Sequence, residues 1–186
     1  MNFQDTQLIG VLARAESTVN SLSGLLSGLV DKFSARGHAL YLVGGSVRDA
    51  LLGRLGNDLD FTTPARPEVV KEILDEWAET VWDTGIAYGT VSAVYKGQQI
   101  EITTFRSDSY DGQSRNPEVS FGDSLDGDLI RRDFRANAIA LELSPDGNHQ
   151  LRDPLNGLED LQAGVLDTPD SPEISFNDDP LRMLRA

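Results

Sequence analysis

Two aspartates, Asp58 and Asp60, are separated by a single leucine. Alternate residues of a β-strand point to the same face, so a strand at this position would bring the two carboxylates close together. Like charges at close range raise each other's pKa unless a cation lies between them, and Mg²⁺ prefers carboxylate oxygen together with substrate phosphate. Taken alone, the pattern is more typical of two solvated side chains at a strand edge.

A Gly-Gly pair before the aspartates gives a metal site a candidate substrate. Gly44 and Gly45 join an apolar run to a predicted helix that carries Arg48. Glycine lets the backbone approach an anion closely, the free N–H groups of a helix N-terminus attract phosphate, and Arg48 is placed to add a charge-assisted hydrogen bond. The glycines alone are more typical of an ordinary turn. Beside paired carboxylates, we favour a two-metal site that handles nucleoside triphosphates.

Glu101 is the next candidate. It lies in a predicted strand, where it shares a face with Thr103, while Ile100 and Ile102 share the opposite face. An acidic side chain on the polar face of a strand fits a catalytic carboxylate and an exposed glutamate equally well. The segment therefore leaves both interpretations open.

A cluster of arginines stands out in an otherwise acidic chain. Residues 131–138 contain three arginines within five positions and include Arg132 and Asn137. These two side chains are candidates to reach a triphosphate or a ribose. The alternative is surface ion pairing with Asp128 and Asp133, which contributes little to stability.

The last candidates lie at the C-terminal end of the sequence. Residues 178–186 open like a helix, with acids at the cap and proline at an early position. Asp179 and Arg182 would be neighbours on that helix, and an acceptor beside a donor can recognise the edge of a base. Arg185 continues the same face, and the alternative is a plain intrahelical ion pair. Because so short a helix is marginal by itself, we expect the chain to be part of a longer protein.

The elements that must position these residues follow from the apolar pattern. We predict helices at residues 16–36, 46–52, 67–77, 129–138 and 158–163, and strands at residues 39–43, 59–62, 80–83, 90–95, 98–105 and 139–143. Ser46 is the expected cap of the second helix. Residues 107–124 are rich in Gly, Ser, Asp and Asn and are predicted to form a loop.

Composition limits the class of protein. The 186 residues carry a net charge of −14, which argues against a stand-alone RNA-binding domain. No apolar run approaches the roughly 20 residues of a membrane span, so we expect no membrane partner. The sequence has no cysteine, which excludes thiolate metal sites and fits a cytoplasmic location.

Together these groups resemble the head domain of the bacterial (class II) tRNA nucleotidyltransferase and poly(A) polymerase family, within the DNA polymerase beta superfamily. Residues 42–63 match its Gly-Gly-x-Val-Arg-Asp…Asp-x-Asp signature, and residues 131–138 are similar to its Arg-Arg-Asp-Phe-Thr-x-Asn-Ala motif, with Arg135 in place of Thr. Residues 153–161 match a family linker, and residues 178–186 match the start of its base-reading helix.

The resemblance implies a role for each matching residue. Asp58 and Asp60 would hold two Mg²⁺ ions with help from Glu101. Gly44, Gly45 and Arg48 would contact the triphosphate, and Arg132 and Asn137 would position the nucleotide. Asp179 and Arg182 would read the base, supported by Arg185.

The resemblance also implies a fold and an organisation. We expect an α+β fold, a small mixed or antiparallel sheet flanked by helices. Residues 1–37 would form a helical extension, residues 38–166 the head domain, and residues 167–186 a linker and the start of a neck helix.

The reaction implied is template-independent addition of CMP and AMP from CTP and ATP to the 3′ end of tRNA. Poly(A) addition to other RNA 3′ ends is an alternative with the same chemistry, and a nucleotide-binding module without catalysis is an alternative of another class. RNA would be gripped mainly by parts outside these residues, so we expect the 186-residue chain alone to add nothing to RNA.

Overall fold

The computed structural model describes residues 3–109 and 118–186. The helices are α1 (Phe3–Ser21), α2 (Ser23–Ala35), α3 (Gly44–Leu51), α4 (Pro67–Asp75), α5 (Leu125–Ile130), α6 (Gly157–Ala163), α7 (Pro172–Asp178) and α8 (Arg182–Arg185). The strands are β1 (Leu40–Val43), β2 (Asp58–Thr63), β3 (Thr80–Trp82), β4 (Thr90–Tyr95), β5 (Gln98–Thr104), β6 (Arg106–Ser109), β7 (Glu118–Phe121), β8 (Ala140–Leu143) and β9 (Gln150–Arg152). Short 3₁₀ turns lie at Ile86–Tyr88 and Arg135–Asn137.

The sheet that positions the candidate residues has seven strands in the order β3-β4-β5-β2-β1-β8-β9. All neighbouring pairs are antiparallel except β2 and β5, which run parallel. In that parallel pair Asp60 lies opposite Glu101. The predicted α+β fold with a mixed sheet flanked by helices is confirmed.

The core lies on both faces of the sheet. Leu42 belongs to the large buried cluster that α2 and α4 cover, whereas its neighbour Val43 packs in a smaller cluster with Leu129 of α5. Adjacent strand residues point to opposite faces, so α5 lies on the face away from α2 and α4. The N-terminal helices contribute buried Val19, from α1, and Phe33, from α2, to the large cluster.

Several predicted boundaries were wrong. The single helix expected at residues 16–36 is two helices, α1 and α2, that meet at Leu22. The helix expected at residues 129–138 is replaced by α5 and the 3₁₀ turn Arg135–Asn137. Phe134 N donates to the side chain of Asp133, and not to the carbonyl four residues earlier that a continuous helix would use. Of the loop expected at residues 107–124, both ends form the paired strands β6 and β7, and residues 110–117 lie outside the described residues.

None of the helices described for residues 3–109 and 118–186 is both long enough and apolar enough to cross a lipid bilayer.

Candidate functional site

The site is built around the junction of β1 and α3. The chain enters the helix at Gly44, which has a φ of +65°, a conformation that glycine adopts without steric cost. A Cβ placed on Gly44 would lie 3.0 Å from Arg132 Nη1 and 3.7 Å from Asp60 Oδ2. Glycine is therefore needed here both for its backbone angle and for the close approach of two charged groups.

Ser46 fastens this helix to the aspartate strand. Its hydroxyl accepts a hydrogen bond from Asp60 N at 2.9 Å and donates one to Asp58 O at 3.3 Å. The prediction that Ser46 caps the helix was wrong, because α3 already begins at Gly44 and has no side-chain cap. The buried serine instead fixes the distance between the Gly-Gly turn and the two carboxylates.

Asp60 is the central acidic group. Its Oδ2 is buried and has no hydrogen-bond partner. Burial raises the pKa of its carboxyl, as do the nearby charges of Glu101 and Asp58, while Arg132 lowers it. Asp58, in contrast, is exposed at the start of β2. A desolvated carboxylate with a free oxygen and two acidic neighbours attracts a cation.

A polar cavity of about 230 Å³ opens beside Asp60. Its lining combines two acids with three arginines: Val43, Asp60, Phe61, Thr90, Glu101, Thr103, Arg106, Arg131 and Arg132. The structure therefore brings Asp60, Glu101 and Arg132 to one place from three separate segments. Among the residues whose side chains are described, no three or more acidic or histidine groups already surround a single point as metal ligands.

Asp128 was treated from the sequence only as a surface partner, but it is fully buried. Its Oδ1 accepts hydrogen bonds from Arg131 Nε at 3.0 Å and Nη2 at 2.8 Å, and its Oδ2 accepts one from Arg132 Nη2 at 3.0 Å. Burial raises the pKa of the Asp128 carboxyl, but the two arginines more than offset this and hold the pKa below its ordinary value. The helical spacing of an acid three and four residues before arginines was the signal available in the sequence.

A second group of the predicted residues forms a hydrogen-bonded chain. Arg48 Nη1 donates to Asn137 Oδ1 at 2.7 Å, and Asn137 Nδ2 donates to Asp133 Oδ1 at 2.9 Å. Arg185 Nε donates to Asp133 Oδ2 at 3.0 Å and its Nη2 to Asp179 Oδ2 at 3.3 Å. This series of hydrogen bonds connects α3 to the C-terminal segment. It brings together Arg48, Asn137, Asp133, Arg185 and Asp179.

The C-terminal segment differs from the expected continuous helix. Asp179 ends α7 in an extended conformation, so its side chain and that of Arg182 are not neighbours on one helix. Arg182 is buried instead, and donates to Ser175 Oγ at 2.8 Å and to Arg131 O at 3.0 Å. The expected pairing of Asp179 with Arg182 was therefore wrong, and Arg185 takes that place.

Comparison with known proteins assigns this arrangement to a family. The family described as the poly A polymerase head domain matches residues 40–167. The chain belongs to this family. Residues that form the Gly-Gly turn, the Asp60 cavity and the buried Asp128 cluster all lie within the head domain match.

Several relatives of this head domain are CCA-adding enzymes. A CCA-adding enzyme of Lactobacillus helveticus is 47% identical over 151 residues, which are 81% of this chain and 36% of that enzyme. The crystal structure of the Bacillus stearothermophilus CCA-adding enzyme in complex with CTP aligns with a TM-score of 0.69 at 38% identity, over 86% of this chain and 36% of that one. The Thermotoga maritima CCA-adding enzyme complexed with tRNA_CCA aligns with a TM-score of 0.69 at 29% identity, over 89% of this chain and 36% of that one.

The chain thus spans little more than a third of the length of these relatives.

Proposed function

We propose that this chain is the catalytic part of a template-independent nucleotidyltransferase that adds CMP and AMP to the 3′ end of tRNA. The observation that carries the proposal is the buried, unpartnered Oδ2 of Asp60 beside Glu101, Gly44 and Arg132. A carboxylate oxygen is costly to bury without a partner, so such a group points to a cation bound in the working protein.

The acidic residues fit Mg²⁺. Mg²⁺ uses one or two carboxylates together with substrate phosphates and waters, so a site without three preassembled protein ligands suits it. Asp58 and Asp60 would hold two ions, and Glu101, opposite Asp60 in β5, would add negative charge. When bound, two such ions lower the pKa of an attacking hydroxyl and neutralise the charge of the leaving oxygen.

The remaining side chains bind and orient the nucleotide. Gly44 and Gly45 open α3, where the free N–H groups of a helix N-terminus would attract the triphosphate, and Gly44 lies beside Asp60 and Arg132. Arg132, which also lines the cavity, adds positive charge there. The RNA 3′-hydroxyl would attack the α-phosphorus, forming a new O–P bond as the bond to pyrophosphate breaks, and positioning and electrostatics supply most of the rate.

Base recognition is assigned to the C-terminal segment. Asp179 and Arg185 present a carboxylate and a guanidinium joined by a hydrogen bond, and Asp133, Asn137 and Arg48 link Arg185 to α3. Arg182 would take part after leaving its buried position, or would support the segment from there through Ser175.

The names of the relatives favour CTP, ATP and tRNA as substrates, since they are CCA-adding enzymes and one is in complex with CTP and another with tRNA. The organisation proposed is a helical extension at residues 1–37, a head domain at residues 38–166 and a linker with the start of a neck helix at residues 167–186. Absence of cysteine fits the cytoplasm, where we place the protein.

Poly(A) addition is the second candidate function, favoured by the description of the matching family. Sequencing of products formed by the full-length protein from tRNA without its 3′ end separates the two functions. We expect CCA at the 3′ end, whereas a run of adenosines would replace the first proposal with the second.

A nucleotide-binding module without catalysis is tested by calorimetry. We expect ATP binding to require Mg²⁺, because the paired carboxylates repel the triphosphate unless a cation lies between them. Equal ATP affinity with and without Mg²⁺, together with no product, would instead indicate a binding module.

A further inference from the structure

The most enclosed ionic cluster of the described residues is centred on Asp128. This aspartate is 0% exposed, and its two oxygens accept three hydrogen bonds from the guanidinium groups of Arg131 and Arg132. The Thr62 hydroxyl, shared with a neighbouring carbonyl, also lies 3.2 Å from Oδ2, and Arg106 N lies 3.4 Å from Oδ1. One carboxylate thus joins α5 to β2 and β6.

Both arginines lead from this cluster to the candidate site. The Nη1 atom of Arg132 lies 3.0 Å from where a Cβ on Gly44 would be, and Arg132 lines the cavity beside Asp60. The main-chain carbonyl of Arg131 accepts the hydrogen bond from Arg182 Nη2 at 3.0 Å. A shift of Asp128 would therefore change the position of Arg132 beside Asp60 and the position of Arg131, to which the C-terminal segment is hydrogen-bonded.

We propose that Asp128 is a positioning residue of the nucleotidyl-transfer site: it contacts no substrate, but it holds Arg132 beside Asp60 and Gly44. A free arginine side chain has many rotamers, and fixing it before the nucleotide arrives removes that entropic cost from binding. Removing either partner of a buried ion pair leaves the other charge uncompensated, which is strongly destabilising. The consequence for catalysis rests on the proposed function, whereas the positioning itself does not.

The positioning is measured without nucleotide. In the full-length protein, the NMR signals of the guanidinium N–H groups of Arg132 should be resolved, and they should collapse to averaged signals in Asp128→Asn. The signals of Arg131 should change less, because its Nη1 also lies 3.5 Å from Asp108 Oδ2. The control is Asp146→Asn, the same chemical change at an exposed carboxylate that also accepts several hydrogen bonds, in the turn between β8 and β9. Unchanged arginine signals in Asp128→Asn would overturn the inference.

The consequence for binding is measured by a double-mutant cycle. Asp128→Asn should weaken CTP binding by about tenfold, the lower end of the effects seen when an outer partner of a site is lost, and Arg132→Met, which removes a group that lines the cavity, should weaken it at least as much. Because Asp128 acts through Arg132, the double variant should bind CTP no more weakly than Arg132→Met alone. Losses that multiply would show that Asp128 acts on the fold in general, and not through Arg132.

A milder pair of variants covers the case in which Asp128→Asn does not fold. Thr62→Val removes the hydroxyl beside Asp128 Oδ2, and Thr62→Ser keeps it. We expect the Arg132 signals to broaden in the valine variant and to recover in the serine variant, and identical spectra in the two would count against the inference. Ordered arginine signals in a wild-type protein that adds no nucleotide would refute the proposed function and leave this inference standing.

Discussion

Gly44→Ala is expected to reduce both the stability of the fold, through backbone strain, and nucleotide incorporation, through a contact with Arg132. With a φ of +65° at Gly44, an alanine there costs about 1–2 kcal/mol in backbone strain alone. For a chain of this size, that loss lowers Tm by about 2–8 °C. The new methyl group would also lie 3.0 Å from Arg132 Nη1, and Asp128 prevents the guanidinium from moving away freely. Because this contact requires Arg132 to shift by only a few tenths of an ångström, we expect nucleotide incorporation to fall, by less than the roughly 100-fold that a misplacement of about 1 Å costs.

The matched control is Gly37→Ala. Gly37 also has a left-handed backbone, with a φ of +76°, but nothing lies within 4 Å of its added Cβ. The two variants should lose similar stability in thermal denaturation, and only Gly44→Ala should lose incorporation of labelled CTP and ATP. Wild-type incorporation by Gly44→Ala, at a temperature where both variants are folded, would refute the placement of Gly44 at the site.

Two other substitutions, Asp60→Asn and Gly157→Ala, measure how a residue of the site and a close backbone contact outside it affect the stability of the fold. A raised pKa at Asp60 means that the native state holds the proton more tightly than the unfolded state, so this group lowers wild-type stability as pH rises above 3.8. Asp60→Asn should therefore raise Tm at pH 7 in buffer with chelator, and the gain should vanish on acidification to below 3.8; a lower Tm at pH 7 would contradict the burial described. An added Cβ on Gly157 would overlap the carbonyl oxygen of Arg135, so Gly157→Ala should cost about 3 kcal/mol or more in urea unfolding. Gly56→Ala, which meets nothing within 4 Å, should be close to neutral, and equal midpoints for the two would show that the contact is unimportant.

Local spacing was enough to predict part of the site. The strand that carries Asp58 and Asp60 and the helix that follows the Gly-Gly pair can be recognised within a few residues, because strand and helix periods are local properties. The sequence around Glu101 did not distinguish a catalytic carboxylate from an exposed glutamate. Only the parallel pairing of β2 with β5 places it opposite Asp60, and register between distant strands is not visible in either strand alone.

Burial of charged groups was the main feature that the sequence did not reveal. Asp128 and the arginines after it have the spacing of a solvated helix face, but β2 and β6 cover the carboxylate. Similarly, the acids and proline of residues 178–186 favour one helix. The structure instead has α7 end at Asp178 and α8 begin at Arg182, whose buried side chain contacts Ser175 and Arg131. Tertiary contacts outweighed local propensity in both places.

The central claim is that Asp60 is needed for the chemistry and not for the fold. Asp60→Ala in the full-length protein, assayed for incorporation of labelled CTP and ATP into tRNA without its 3′ end, tests it most directly. We expect incorporation to be abolished while circular dichroism and Tm show a folded protein, because the alanine removes the buried oxygen that suits a metal ion. Undiminished incorporation by the folded variant would contradict the assignment of Asp60 to the catalytic site.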